Sequence, residues 1–242
     1  MTDTILITGA SRGIGLATAE RLAADGMRVI GIARGPSERP FPGDLHEADL
    51  GDTETAATIL SRIVADVPID GIVNNLGFNI VERLGEVDLA HFDKVLNLNL
   101  RATLQATQAV LPGMRARRYG RIVNLSSRGA LGRVGRSSYG AAKAGIVGMT
   151  RTWALELAGE GITANVVSPG PTATEMFRRN NLSGPDAEER RRAFLADVPL
   201  GRFGEPDEIA HAVAFFLDRR AGFVTGQLLH VCGGSSVGLA AL

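Results

Sequence analysis

Residues Thr4–Gly15 read TILITGASRGIG. An apolar run, Ile5-Leu6-Ile7, is stopped by Gly9, Gly13 and Gly15, and a helical pattern follows through Leu16, Ala17, Ala19 and Leu22. Strand, glycine turn and helix in that order put free backbone N–H groups and a helix N-terminus at the carboxyl end of a strand. That geometry holds a phosphate. The spacing G-x-x-x-G-x-G differs from the common dinucleotide fingerprint G-x-G-x-x-G, and no G-K-[ST] follows to make a P-loop. A glycine turn that only lets a first helix pack closely on its strand has the same outline. The rest of the chain has to decide.

Outward from this turn, further strands are predicted at Arg28–Ala33, Ala48–Leu50, Asp70–Asn74, Arg121–Leu125, Ile162–Val167 and Gln227–Cys232. Helical periodicity covers Thr53–Ala65, Leu89–Met114, Ser138–Leu157 and Glu208–Leu217, with Pro112 marking an exit or a local kink. The strands are apolar rather than alternating, and the connections are long enough for crossovers. Both features predict a mostly parallel sheet covered by helices on its two faces. The stretch from Pro171 to about Pro199 breaks the rhythm, being polar and rich in arginine. A connection this long inside one domain reads as an active-site lid with short helices of its own. No shift in composition marks a second domain, so residues 1–242 read as one.

The 26 basic residues equal the 26 acidic ones, so no global field draws the chain to nucleic acid. Hydrophobic residues make up 45% and charged residues 21%, the balance of a soluble globular protein. Cys232 stands alone and the four histidines are scattered, which leaves neither a disulfide nor a metal-ligand cluster to expect. No apolar run reaches membrane-spanning length, and the first strand begins too early to leave room for a signal segment. A cytoplasmic protein is expected.

Candidate chemistry lies in Ser126-Ser127, at the end of a predicted strand, followed by Tyr139 and Lys143. Four residues apart on a helix, Tyr139 and Lys143 share a face one turn apart. A phenol titrates near 10, and a neighbouring ammonium favours its phenolate. A serine at the adjacent strand end can hydrogen-bond a substrate oxygen while the tyrosine exchanges a proton with it.

With these pieces in order, the chain resembles the short-chain dehydrogenase/reductase family, and more loosely its 3-oxoacyl carrier-protein reductase branch. The match runs from the first strand to the last. Thr8–Gly15 resembles the family's cofactor loop, which implies contacts from Gly9, Ser11, Arg12, Gly13, Ile14 and Gly15. Asn74-Asn75-Leu76-Gly77 resembles its Asn-Asn-Ala-Gly, with Leu76 in place of a small alanine, either tightening the pocket or filling a gap. Asn99 matches the helix asparagine of the proton relay, and Ser127, Tyr139 and Lys143 match its active-site serine, tyrosine and lysine. Pro169-Gly170 and Thr174 resemble the segment that meets the nicotinamide end. The serine-to-tyrosine distance departs from the family's usual thirteen: it is twelve from Ser127 and thirteen from Ser126. Ser127 is kept, because counting from the strand places it at the catalytic position.

The resemblance implies a Rossmann-type, doubly wound α/β/α domain with a seven-stranded parallel sheet. It also implies a ketone or secondary alcohol substrate. In that mechanism Ser127 orients the oxygen, Tyr139 exchanges the proton, Lys143 serves both tyrosine and ribose, and Asn99 maintains proton supply. The direction of the reaction is open. Ala33 and Arg34 stand where an acidic side chain would select NAD, and Arg12 sits in the glycine loop. Two guanidiniums and no carboxylate favour NADP(H), with NAD(H) as the alternative. Asp49, with Leu50, is expected beside the adenine. Arg178, Arg179, Arg190, Arg191 and Arg192 either attract an anionic substrate, including an acyl carrier protein, or form a solvated surface. Family resemblance further implies a homotetramer or dimer, with Val237–Leu242 as a tail for such an interface.

Overall fold

The computed structural model describes residues 2–237. The predicted tail therefore lies outside the described residues beyond Val237. Seven parallel strands form one sheet: β1 (Thr4–Thr8), β2 (Arg28–Ala33), β3 (Asp44–Glu47), β4 (Gly71–Asn74), β5 (Gly120–Leu125), β6 (Ile162–Pro169) and β7 (Leu228–Val231). Their order is β3-β2-β1-β4-β5-β6-β7. The chain runs outward from β1 in one direction, then returns to add β4 on its other side. The crevice at the carboxyl ends of β1 and β4 is thus the topological switch point, where ligands bind in doubly wound sheets.

Side-chain alternation along the strands builds two cores. On β1, Leu6 joins Ile30, Ile32, Ile72 and Ile122 against helices α2 (Thr53–Asp66), α4 (Ala102–Arg117) and α5 (Ser137–Leu157). Ile5 and Ile7 point the other way, with Val73, Val123 and Val167, against α1 (Gly13–Ala24) and α8 (Pro206–Leu217). Each such fully buried side chain contributes about 1.5–3 kcal/mol. Strands apolar on both faces are the consequence of helices on both sides.

The third strand is displaced from its predicted position. Ala48–Leu50 is irregular, and β3 lies just upstream at Asp44–Glu47. As an edge strand, Asp-Leu-His-Glu has no need of an apolar pattern. The apolar signal came instead from Ala48 and Leu50, which are buried against the core although they belong to a connection. Gly43 permits the pairing, since a β-carbon there would stand 2.1 Å from the Val29 carbonyl oxygen.

The predicted helix over Leu89–Met114 is two helices joined by one wider turn. After α3 (Leu89–Leu96), residues Asn97–Arg101 form a π-turn before α4 begins. Pro112 neither ends nor borders the helix, which continues to Arg117. Between β6 and α8 lie α6 (Glu175–Asn181) and α7 (Ala187–Ala196). Thr174 caps α6 by accepting from the Phe177 N–H at 3.2 Å. Phe177 packs edge-on against Phe194 and Phe203, with centroids 5.0 and 5.2 Å away, so these short helices share a small aromatic core of their own.

Candidate active site

The glycine turn after β1 is fixed from below by Asn75. Its side-chain amide donates to the carbonyls of Thr8 at 3.2 Å and Gly9 at 2.9 Å. The Thr8 hydroxyl in return accepts from the N–H groups of Asn75 and Leu76, each at 3.1 Å. Gly9 has φ +66° and Gly13 φ +52°, a backbone that favours glycine. At Gly15 a β-carbon would collide with the Gly9 carbonyl oxygen at 2.2 Å, so close passage of helix over turn requires the third glycine.

A nucleotide pyrophosphate suits this turn. Arg12, the N-cap residue of α1, makes no side-chain capping bond, and the first turn of the helix carries no acidic residue. Its leading N–H groups are therefore left for a ligand anion. Ser11 is buried, and its carbonyl accepts from the Ser37 hydroxyl at 3.2 Å and the Glu38 N–H at 3.0 Å, tying the loop after β2 to the turn.

From the turn a cleft of about 170 Å³ runs across the carboxyl ends of β4, β5 and β6. Of the sequence-predicted residues it gathers Ile14, Asn75 and Gly77 on one side, and Ser127, Tyr139 and Lys143 on the other. Pro169, Gly170 and Thr174 line it too, Thr174 beside the turn, its Cγ2 3.2 Å from where a Gly13 β-carbon would stand. Asn99 is fully buried beside it. Its amide donates to the carbonyls of Phe78 and Val95, both at 2.8 Å, and its Oδ1 accepts from the Phe78 N–H at 3.4 Å. Gly77 leaves a gap between the two polar groups: a β-carbon there would stand 3.6 Å from Lys143 Nζ and 3.7 Å from Asn99 Oδ1.

The two serines separate cleanly. Ser126 is buried and donates its hydroxyl to the main-chain carbonyl of Lys143 at 2.7 Å. Ser127 is partly exposed to the cleft, and its Oγ accepts from the Gly129 N–H at 3.0 Å. Burial pushes the Tyr139 phenol up, while a hydrogen bond with Ser127 and the charge of Arg136 draw it down. Burial also pushes the Lys143 ammonium down to about 7. Only the Leu125 carbonyl, at 2.9 Å, accepts from Nζ among the described residues. An ammonium has three donors, so a buried lysine so thinly bonded fits the hydroxyls of a nucleotide ribose.

Other predicted residues lie away from the cleft lining. Arg34 is exposed at the carboxyl end of β2. Arg12 pairs with Glu175 of α6 at 2.7 Å. Asp49 accepts from the Gly51 N–H at 2.8 Å, and the same loop is held by Arg101, which donates to the Leu50 and Gly51 carbonyls. Leu76 is not among the cleft-lining residues and packs, partly buried, against the core of α2 and α4. Arg190 and Arg191 pair with Asp186 and Glu188 on the lid itself, and none of the five lid arginines lines the cleft.

Two features are absent from the sequence reading. A ladder of buried amides lies under the site: Asn74 Nδ2 donates to Thr107 Oγ1 at 2.9 Å and to Asn124 Oδ1 at 2.8 Å, and Asn124 Nδ2 donates to Thr150 Oγ1 at 2.8 Å. Arg128, Arg133 and Arg136, between Ser127 and Tyr139, all line the cleft. Their clustering in one short connection was the available signal.

Residues 9–236 match the sequence profile described as enoyl-(acyl carrier protein) reductase. The chain is also 40% identical over 245 residues to the 3-oxoacyl-[acyl-carrier-protein] reductase FabG of Vibrio cholerae, covering 95% of both chains. It belongs to the short-chain dehydrogenase/reductase family. Within that family it is 39% identical over 244 residues to a (2S)-[(R)-hydroxy(phenyl)methyl]succinyl-CoA dehydrogenase subunit, BbsD, of Thauera aromatica, covering 96% of both. A ligand-free aldohexose dehydrogenase of Thermoplasma acidophilum superposes with a TM-score of 0.92 at 29% identity, over 100% of this chain and 96% of that one. As a short-chain dehydrogenase/reductase, this protein is an oxidoreductase acting between CH–OH and keto groups with NAD(P). No described helix is long and apolar enough to cross a membrane.

Proposed function

We propose that this protein is an NADP(H)-dependent ketoreductase of 3-oxoacyl-thioester type. The observation that carries the reading is the convergence of Ser127, Tyr139 and Lys143 on one cleft that opens from the glycine turn. A bound nicotinamide nucleotide supplies the hydride or accepts it. Ser127 orients the substrate oxygen, and Tyr139 gives that oxygen its proton in reduction or takes it in oxidation. Lys143 holds the ribose and favours the charged tyrosine, while Asn99 and the gap at Gly77 lead replacement protons to Lys143. Gly9, Gly13 and Gly15 admit the pyrophosphate, with Asp49 near the adenine and Pro169, Gly170 and Thr174 at the nicotinamide end. Residues 171–199 act as the lid, latched to the turn through Arg12 and Glu175.

Support for NADP(H) is the exposed guanidinium of Arg34 at the end of β2, where an acidic residue would serve NAD. A thioester substrate is supported by the activities of FabG and BbsD, which act on carrier-protein and coenzyme A thioesters. The second reading is a reductase of small cyclic or aryl ketones with no carrier. Phe177 and Phe194, both on the cleft wall, favour it. A cofactor-coupled screen in both directions, over 3-oxo thioesters, cyclic and aryl ketones and secondary alcohols, tests the assignment. Competition by free acyl carrier protein against a small ketone separates the two readings. We further propose a homotetramer or dimer, supported by the exposed Leu155 on α5 and Phe223 before β7.

A further inference from the structure

The connection between β5 and α5 puts three guanidiniums on the substrate side of the cleft. They are fixed rather than free. Arg133 stacks on Phe194, its Cζ 3.6 Å from the ring centre. Arg136 donates to Asn181 Oδ1 at 2.8 Å, and Arg128 donates to the Ser235 carbonyl at 3.1 Å. Among the described residues none of the three forms an ion pair within 4 Å. Among the described residues Asp197 is the one carboxylate that acts on Arg133, against Arg136 and Arg128.

Their placement adds to the imbalance. Arg136 is the N-cap residue of the 21-residue α5, whose first turn carries no acidic side chain. A helix N-terminus already carries partial positive charge, so cations there are unfavourable unless an anion joins them. Pinning long side chains also costs rotamer freedom. A solvated surface would pay neither cost.

We propose that Arg133 and Arg136 bind a carboxylate carried on the substrate skeleton, so that the enzyme selects oxo acids, or the matching hydroxy acids, over their neutral analogues. Guanidinium forks suit a carboxylate. Arg136 caps α5 three residues before Tyr139, and both line the cleft, so an anion on Arg136 lies close to the reacting carbonyl. The phosphate of a pantetheine arm sits a whole arm's length from its thioester and reaches the rim instead. Apolar substrate surface falls on Phe177 and Phe194, which line the same cleft.

This inference rests on the ketoreductase reading, and the test separates the two. The probes are 4-oxo-4-phenylbutanoate and its methyl ester, measured for binding to the protein–NADP complex by calorimetry and for turnover with NADPH. The acid is expected to bind about tenfold or more tighter than the ester. In R133Q/R136Q that ratio collapses to about one, whatever happens to overall turnover, and R133K/R136K recovers part of it. Equal binding of acid and ester by the wild type overturns the proposal, as does a ratio unchanged in the double variant. If arginine-dependent binding appears for 4′-phosphopantetheine while acid and ester remain equal, the site is a phosphate site and the proposal fails. Selective acid binding without turnover of either probe supports the carboxylate site and counts against the small-ketone reading alone, since neither probe is a thioester.

Discussion

The ammonium of Lys143 lies 5.7 Å from the centre of the Tyr139 ring, one helical turn along α5, and donates to the Leu125 carbonyl rather than to the phenol. Its charge is costly in that position, because burial pushes it down to about 7. The unfolded chain keeps this proton to about pH 10.4. Between those values the unfolded state binds more protons, so stability rises with pH. Tyr119, pushed up to about 12 by burial and its hydrogen bond to Asp3, and Tyr139 oppose this only above pH 10. The cofactor-free protein is expected to gain on the order of 2 kcal/mol from pH 7 to 9, and Lys143→Met to lose that gain. Cys232 contributes in the same direction, since hydrogen bonds from Ser236 and Ser235 outweigh burial and lower its thiol, so the comparison with the variant isolates the lysine. Urea midpoints across the range provide the measurement; parallel slopes would contradict it.

Tyr139→Phe removes the proposed proton donor while keeping the ring, and kcat is expected to fall by about 10²–10⁴ with cofactor affinity retained. Ser127→Ala should fall by a similar order. Ser126→Ala should stay mostly active and lose about 1 kcal/mol with the bond to Lys143 O. Turnover and thermal unfolding of the three variants test the assignment. Wild-type turnover in the Ser127 variant would return the role to Ser126.

Arg34→Glu puts the missing carboxylate at the end of β2. The ratio of kcat/KM for NADPH over NADH should drop about tenfold or more, as repulsion replaces paired donors. An unchanged ratio would place the extra phosphate elsewhere.

Glu175→Gln breaks the latch between α6 and the glycine turn. Both partners are more than half exposed, at 55% and 53%, so folding stability should change by less than about 0.5 kcal/mol. Freed Arg12 is expected to lower KM for NADPH a few-fold while KM for NADH holds, and trypsin should cut faster at Arg178 and Arg179. Equal shifts for both cofactors would leave Arg12 a latch without a role in reading phosphate.

Asn124→Ala takes one buried partner from each neighbour, leaving the Asn74 amide bonded to Thr107 alone and the Thr150 hydroxyl to the Ile146 carbonyl alone, and opens a cavity between them. A loss of about 2–4 kcal/mol is expected in chemical denaturation. A loss below about 0.5 kcal/mol would mean the ladder is dispensable.

The legible parts of this protein are those where backbone geometry restricts residue type. Gly9, Gly13 and Gly15 are demanded by a turn that no β-carbon fits, and the spacing of Tyr139 and Lys143 is set by one helical turn. Apolar strands stood out because they are buried on both faces. The edge strand Asp44–Glu47 did not, since both its end residues are exposed and its signal was outweighed by buried Ala48 and Leu50. Asn74 and Asn124 lie fifty residues apart, so nothing local in either segment reveals that their amides meet. The lid arginines drew attention by number, yet the cations that face the cleft come from the shorter run beside Ser127. Charge density along a chain does not say which way side chains turn.

Beyond the π-turn at Asn97–Arg101 residue count is itself a constraint. Each residue of an α-helix turns the chain by about 100°. The wider turn takes up one residue more than an α-turn, so a deletion inside it is absorbed. A deletion in the first turn of α4 would instead swing the rest of that helix around its axis. Thr103 and Thr107 would leave the buried amides, and exposed Leu104 would be driven towards the interior. Helix α4 can therefore accept a changed letter far more easily than a missing one.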